Sequence, residues 1–174
     1  MDLIEAKRAQ VSGVLGEICR RRGLLAGHVM TPQPSCVRLE TTVLELVKLF
    51  YAKQFRHLLV TDQANGLLGV ISDRDVLRCL GPGERPEPAA LARISAGQIM
   101  STDVVTIGPE TPLSRAVVLM IDHGISCLPV LANGSLVGIL TNSDLHVVLQ
   151  VLLETARQSS SEEPAVSAAA PPQN

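Results

Sequence analysis

Two stretches decide the fold: "GLLGVISDRD", Gly66 to Asp75, and "SLVGILTNSD", Ser135 to Asp144. Each runs through aliphatic residues around a glycine, reaches a hydroxyl residue, and places an aspartate three positions on. Gly69 aligns with Gly138, Ser72 with Thr141, and Asp75 with Asp144. Taken singly, hydroxyl-x-x-Asp starts a helix: the hydroxyl and the acid satisfy amide donors that the first turn leaves open. Taken twice in the same context it asks for more, because Glu or Gln caps as well as Asp does.

Working outward, the whole neighbourhood recurs. Met30 matches Met100 at an offset of 70, and Gly69 matches Gly138 at 69, so the second hairpin is one residue shorter. Glu40-Thr41 matches Glu110-Thr111, Leu58-x-Val60 matches Leu128-x-Val130, and Asn65-Gly66 matches Asn133-Gly134. Each copy opens with a short extended piece, Cys36 to Leu39 or Val104 to Ile107. Thr41 or Thr111 then leads into a helix. Val43, Leu46, Val47 and Phe50 fall at i, i+3, i+4 and i+7, one helical face, and Leu113, Ala116, Val117 and Met120 repeat that spacing. Two aliphatic runs flank Asn-Gly, a hairpin signal because both turn residues tolerate φ > 0. A last helix starts at Ser72 or Thr141. The expected fold is α+β, with β-α-β-β-α written twice.

The expected boundaries are an N-terminal amphipathic helix over 1–24, repeats over 25–82 and 96–156, a Pro- and Gly-rich linker over 83–95, and a disordered tail over 157–174. The first helix reads as Leu3 to Arg22, with Arg20-Arg21-Arg22 and Gly23 as its stop. The tail is Ser, Ala, Pro and Glu, too poor in apolar side chains to order itself.

Composition narrows the function. The 174 residues are 46% hydrophobic but 2% aromatic, so the core is aliphatic. A net charge of −2 argues against nucleic acid as a partner. The longest apolar runs, such as Ala116 to Ile121, are far too short to span a membrane. The start of the chain lacks the apolar stretch of a secretory signal, so a cytoplasmic location is expected. Cys19, Cys36, Cys79 and Cys127 are scattered without a Cys-x-x-Cys pair, which suits reduced thiols better than disulfides or zinc. His28, His57, His123 and His146 show no metal spacing. There is no P-loop, no G-x-G-x-x-G and no nucleophile with an evident base. An enzyme is the least favoured reading.

With "VMT" and "IMS" at the two starts, "RHLLV" and "SCLPV" in the second strands, and the two ten-residue stretches at the ends, the chain resembles the CBS domain family, named for cystathionine β-synthase. It looks like a stand-alone tandem pair over roughly Ala26 to Leu149. The resemblance implies a pseudo-twofold pair of α+β units with packed sheets and two clefts that bind AMP, ADP, ATP or S-adenosylmethionine. It implies a regulatory ligand with no cofactor required, a homodimer through the helices, and a regulated partner protein.

By the same resemblance Ser72 and Thr141 lie near phosphate, while Asp75 and Asp144 accept hydrogen bonds from ribose hydroxyls. A carboxylate can indeed serve two vicinal hydroxyls, and a helix N-terminus suits a phosphate. Arg56 and His57 are expected at phosphate, with Arg74 assisting; their bland reading is a solvated pair and an exposed first-turn arginine. The adenine slot is expected from Val37, Phe55 and Val70 in one copy and Val105, Ile125 and Ile139 in the other, all six also being ordinary core residues. In the second copy Ser126-Cys127 replaces Arg56-His57, and Asn142-Ser143 replaces Asp73-Arg74. Unequal clefts follow: a phosphorylated ligand at Asp75, and an uncharged adenosyl group or nothing at Asp144. The apolar helix "LHVVLQVLLETA", Leu145 to Ala156, together with Val118 and Leu119, points to an interface, the alternative being that the N-terminal helix covers it within one chain. The competing account is a ligand-independent dimerisation scaffold.

Overall fold

The computed structural model describes residues 3–18, 23–81 and 87–161. In chain order the elements are α1 (Leu3–Ile18), α2 (Ala26–Val29), β1 (Thr31–Pro32), β2 (Cys36–Val37), α3 (Val43–Lys53), β3 (His57–Thr61), β4 (Leu67–Ser72), α4 (Asp73–Leu80), α5 (Pro88–Leu91), α6 (Ala96–Ile99), α7 (Leu113–His123), β5 (Cys127–Ala132), β6 (Ser135–Thr141) and α8 (Asn142–Ser161). The twofold β-α-β-β-α order is present. In the second copy the leading strand is reduced to one parallel bridge, Ile107 to Val130.

The two repeats exchange their opening segments. One sheet is ordered β2-β3-β4, the other β1-β6-β5. Strand β1, which opens the first repeat, pairs with β6 of the second, Thr31 opposite Ile139. In return Ser101, which opens the second repeat, bridges Val70 of β4. The cores follow the same exchange. Ala26 and Val29 of α2 are buried with Leu128, Val130 and Leu140 of the second repeat. Ala96 of α6 is buried with Val43, Leu58 and Ile71 of the first. Leu59, Cys127 and Ile139 form a third apolar cluster from both sheets, and burying these faces is what holds the halves together.

Two glycines permit the crossing. A Cβ on Gly69 would lie 2.7 Å from Met100 Sδ and 2.8 Å from the Ser101 carbonyl oxygen. One on Gly138 would lie 2.5 Å from Met30 Sδ and 3.1 Å from the Thr31 carbonyl oxygen. The methionine that starts each repeat therefore rests on the glycine of the other.

Several local expectations change in detail. The cap of α3 is Thr42, in a capping box with Glu45, and that of α7 is Pro112. Thr41 and Thr111 instead close the preceding turn, their Oγ1 atoms accepting from Arg38 N and Gly108 N, each at 3.1 Å. The second hairpin has its two-residue Asn-Gly turn, φ 50° at Asn133 and 80° at Gly134, as both central positions of such a turn require. In the first hairpin only Asn65 is left-handed (φ 62°). There the Asp62 carboxylate accepts from Ala64 N at 2.9 Å and Gly66 N at 2.7 Å, organising a longer loop. The expected linker contains α5, whose Leu91 is buried in the first core. Helix α8 continues past Ala156 to Ser161; the remaining tail, like Arg20-Arg21-Arg22, lies outside the described residues.

Candidate functional site

The two hydroxyl-x-x-Asp stretches share the same aspartate hydrogen bonds across the first turn and then diverge. Ser72, with extended backbone, caps α4. Its Oγ accepts from Asp75 N at 3.3 Å; in return Asp75 Oδ2 accepts from Ser72 N at 2.8 Å and from Ser72 Oγ at 2.6 Å. At the head of α8, Asp144 Oδ2 accepts from Thr141 N at 2.6 Å and from Thr141 Oγ1 at 2.8 Å. In each aspartate Oδ2 is spent on the cap, leaving Oδ1 for something else.

Asp75 lines a cleft between the repeats, a cavity of about 270 Å³. This is close to the lower end, about 300 Å³, of small-molecule pockets. The first repeat contributes His57, Val70, Ser72, Arg74, Asp75 and Arg78. The second contributes Ser101, Asp103, Val104, Val105 and the run from Gly124 to Cys127. Asp75 Oδ1 accepts from Arg78 Nη1 at 2.8 Å, but the Arg78 side chain is 77% exposed. Such an ion pair contributes little and is readily exchanged for another partner.

The crossover regroups the expected adenine contacts. Val70 faces the cleft with Val105 and Ile125 of the other repeat, not with Val37 and Phe55 of its own. Val37 and Phe55 pack in or against the first core, and Ile139 lies in the cluster between the sheets. The reason is the pseudo-twofold exchange: β4 and α4 of one half face the extended segment and strand start of the other. Arg56 is not among the residues lining this cavity; its Nε lies 3.7 Å from Asp73 Oδ2, both side chains well exposed. His57 lines it, with Nε2 hydrogen-bonded to Ser126 Oγ at 2.9 Å. Burial, more than any neighbouring charge, pushes the imidazole below its usual range. Positive charge at this cleft therefore rests on Arg74 and Arg78.

Arg78, Ser101 and Asp103 were not among the expected residues. Arg78 had a legible signal, i+3 from Asp75 on a helix face. Ser101 and Asp103 come from the far repeat and had none.

At Asp144 the corresponding oxygen is already taken. Lys7 Nζ, from α1, makes an ion pair with Asp144 Oδ1 and donates to Thr31 Oγ1 at 2.7 Å. Thr31 Oγ1 donates to Asp144 Oδ1 at 3.4 Å. The Lys7 and Asp144 side chains are 10% and 5% exposed. Burial lowers the Lys7 ammonium to about 8, which still leaves it charged at neutral pH.

Among the described residues no three His, Cys, Asp or Glu side chains cluster as metal ligands, and no helix is long and apolar enough to cross a membrane. Burial pushes the Cys127 thiol up to about 12 and raises Cys36 and Cys79, the wrong direction for a nucleophile.

Known proteins share this fold and its repeat. The CBS domain model matches residues 26–81 and 96–150. An uncharacterized protein of Methanopyrus kandleri is 28% identical over 146 residues, 83% of this chain and 66% of its own length. Homoserine O-acetyltransferases of Methanococcus vannielii and Methanohalophilus mahii are 24% and 30% identical, but the chain spans only 28% and 24% of their lengths. A CBS domain-containing protein of Dictyostelium discoideum is 32% identical over 75% of this chain and 94% of its own. Among solved structures, a Vibrio cholerae protein provisionally assigned to acetoin utilization, AcuB, superposes with a TM-score of 0.65 at 28% identity, covering 82% of this chain and 99% of that one. CBSX2, solved in complex with AMP, gives 0.62 at 27%, covering 78% and 100%. Two family-model matches, one over each half of an exchanged α+β pair, show that this chain belongs to the CBS domain family.

Proposed function

We propose that the chain is a regulatory module that senses an adenosyl nucleotide in the Asp75 cleft and signals its occupancy to a partner protein. One observation carries the reading: two carboxylates, Asp75 and Asp103, two arginines and four aliphatic side chains from both repeats converge on one cavity. Arg78 moves from Asp75 Oδ1 to the ligand phosphate, and the freed oxygen accepts from ribose. Arg74 adds a second charge; guanidinium donors are well matched to phosphate. Val70, Val105 and Ile125 hold the base. The cap amides contribute less, since Asp75 N already donates to Ser72 Oγ and Asp73 N to the Arg56 carbonyl. That CBSX2 was solved with AMP supports this ligand class. A ligand bridging both halves favours one packing of the pair only by its difference in affinity between packings.

Thermal stability against AMP, ADP, ATP and S-adenosylmethionine tests the reading. Binding to the folded state alone adds about 2.7 kcal/mol at a free ligand concentration about 100 times Kd. A saturable rise that disappears in Asp75→Asn is expected. No rise with any of the four overturns it.

One observation favours the scaffold as a second reading. Ile121 and Val118 of α7 and Leu149, Leu152 and Leu153 of α8 are exposed. We read this apolar surface as the contact of a homodimer, which the scaffold account requires and the sensor account only permits.

A further inference from the structure

We infer that α1 is an intramolecular latch on the Asp144 cleft, and that docking of α1 and binding of a nucleoside there exclude one another. The inference rests on Asp144 having the ligand role proposed above for its counterpart Asp75. The two carboxylates are built alike, each with Oδ2 held by its own cap. They differ in what holds Oδ1. At Asp75 it is an arginine of the adjoining helix, largely in water. At Asp144 it is a buried lysine 137 residues away in sequence, supported by Thr31 Oγ1. The atom a ribose hydroxyl needs is occupied by an ammonium from the protein itself.

The rest of α1 is seated to hold that lysine in place. Val11, one helical turn on, is fully buried in the core that includes Val147, Val148 and Val151 of α8. Gln10 Nε2 donates to the His28 carbonyl at 3.0 Å, and Arg8 Nη2 donates to Glu154 Oε1 at 2.8 Å. Freeing Asp144 therefore means withdrawing Lys7 and loosening a helix docked on α8. The missing basic residues of the second copy predict a weaker site there; the latch occupies the carboxylate that this site would use. A nucleoside that wins Asp144 converts its binding into release of α1, a second output distinct from occupancy of the Asp75 cleft.

The test uses the full chain, adenosine as the probe, and two readouts. Amide hydrogen exchange across α1 reports docking. Calorimetric titration reports the number of adenosine sites. In Lys7→Met the α1 amides are expected to exchange about tenfold faster than in the wild type, and one adenosine site is expected to appear that Lys7→Met/Asp144→Asn lacks. The double variant leaves no buried charge, so it carries the exchange measurement should Lys7→Met fold poorly. Unchanged α1 protection in both variants overturns the latch, as does a wild type that fills the Asp144 cleft with α1 still protected. Adenosine binding to no variant at either cleft, with α1 protection lost as expected, defeats the ligand role and leaves α1 held by a structural ion pair only.

Discussion

Replacing each motif aspartate by alanine, without ligand, should have very unequal effects on stability. Both substitutions remove the same two carboxylate hydrogen bonds across the first turn of a helix, worth about 1 kcal/mol. Asp75→Ala loses little more, because its remaining partner, Arg78, is 77% exposed and simply returns to water. Asp144→Ala leaves the Lys7 ammonium, 10% exposed, without its carboxylate. Breaking a buried pair by removing one partner costs about 3–5 kcal/mol. For a chain of this size about 1 kcal/mol moves Tm by about 2–4 °C. Asp75→Ala should therefore fall by about 2–4 °C and Asp144→Ala by about 8–24 °C. Urea denaturation gives the same comparison as free energies. Lys7→Met/Asp144→Ala should recover at least about 2 kcal/mol of the loss, the coupling expected of contacting residues. Equal losses for the two alanines, or no recovery in the double variant, would refute the account of Lys7 as a buried partner.

Three further expectations concern the frame and the cleft. Gly69→Ala should destabilise by about 1–3 kcal/mol through overpacking, and more than Gly138→Ala, because the nearer obstacle at Gly69 includes the Ser101 carbonyl oxygen rather than chiefly a flexible thioether; paired chemical denaturation checks the order. Gln54 ends α3 in the left-handed region at φ 52°, where the second repeat has Gly124 at φ 61°, so Gln54→Gly should raise stability by about 0.5–1 kcal/mol after its entropic cost. His57 is held neutral by burial, its folded value below 6.5; the unfolded chain then binds more protons, so stability present above about pH 6.5 is lost on acidification, and His57→Gln should flatten that slope in melts across pH 5 to 8.

The sequence carried the repeat, the strand and helix order, both caps and the second hairpin, because each rests on residues close together. Asp75 and Asp144 were legible for the same reason, three positions from the hydroxyl that each one caps. What was not legible depended on which half faces which. Val37 and Phe55 share a repeat with Val70, so periodicity groups them, yet the exchange sets Val105 and Ile125 opposite Val70 instead. Lys7 reads as one charge on an amphipathic helix; only the seating of α1 against α8 brings it to Asp144. Missing positive charge in the second copy predicts unequal clefts, and the structure sets a lysine from outside either copy against Asp144.

The traded opening segments have a consequence for any attempt to divide the molecule. Each half carries the plug for the other half's socket: α2 and β1 complete the second unit, α6 and Ser101 the first. A half expressed by itself would retain its plug and lack its filling, so its easiest route to a closed core is reciprocal trade with a second copy of itself. The tandem chain is that self-association made covalent. The connecting residues hold the complementary pieces at a fixed effective concentration, and assembly no longer depends on how much protein the solution contains.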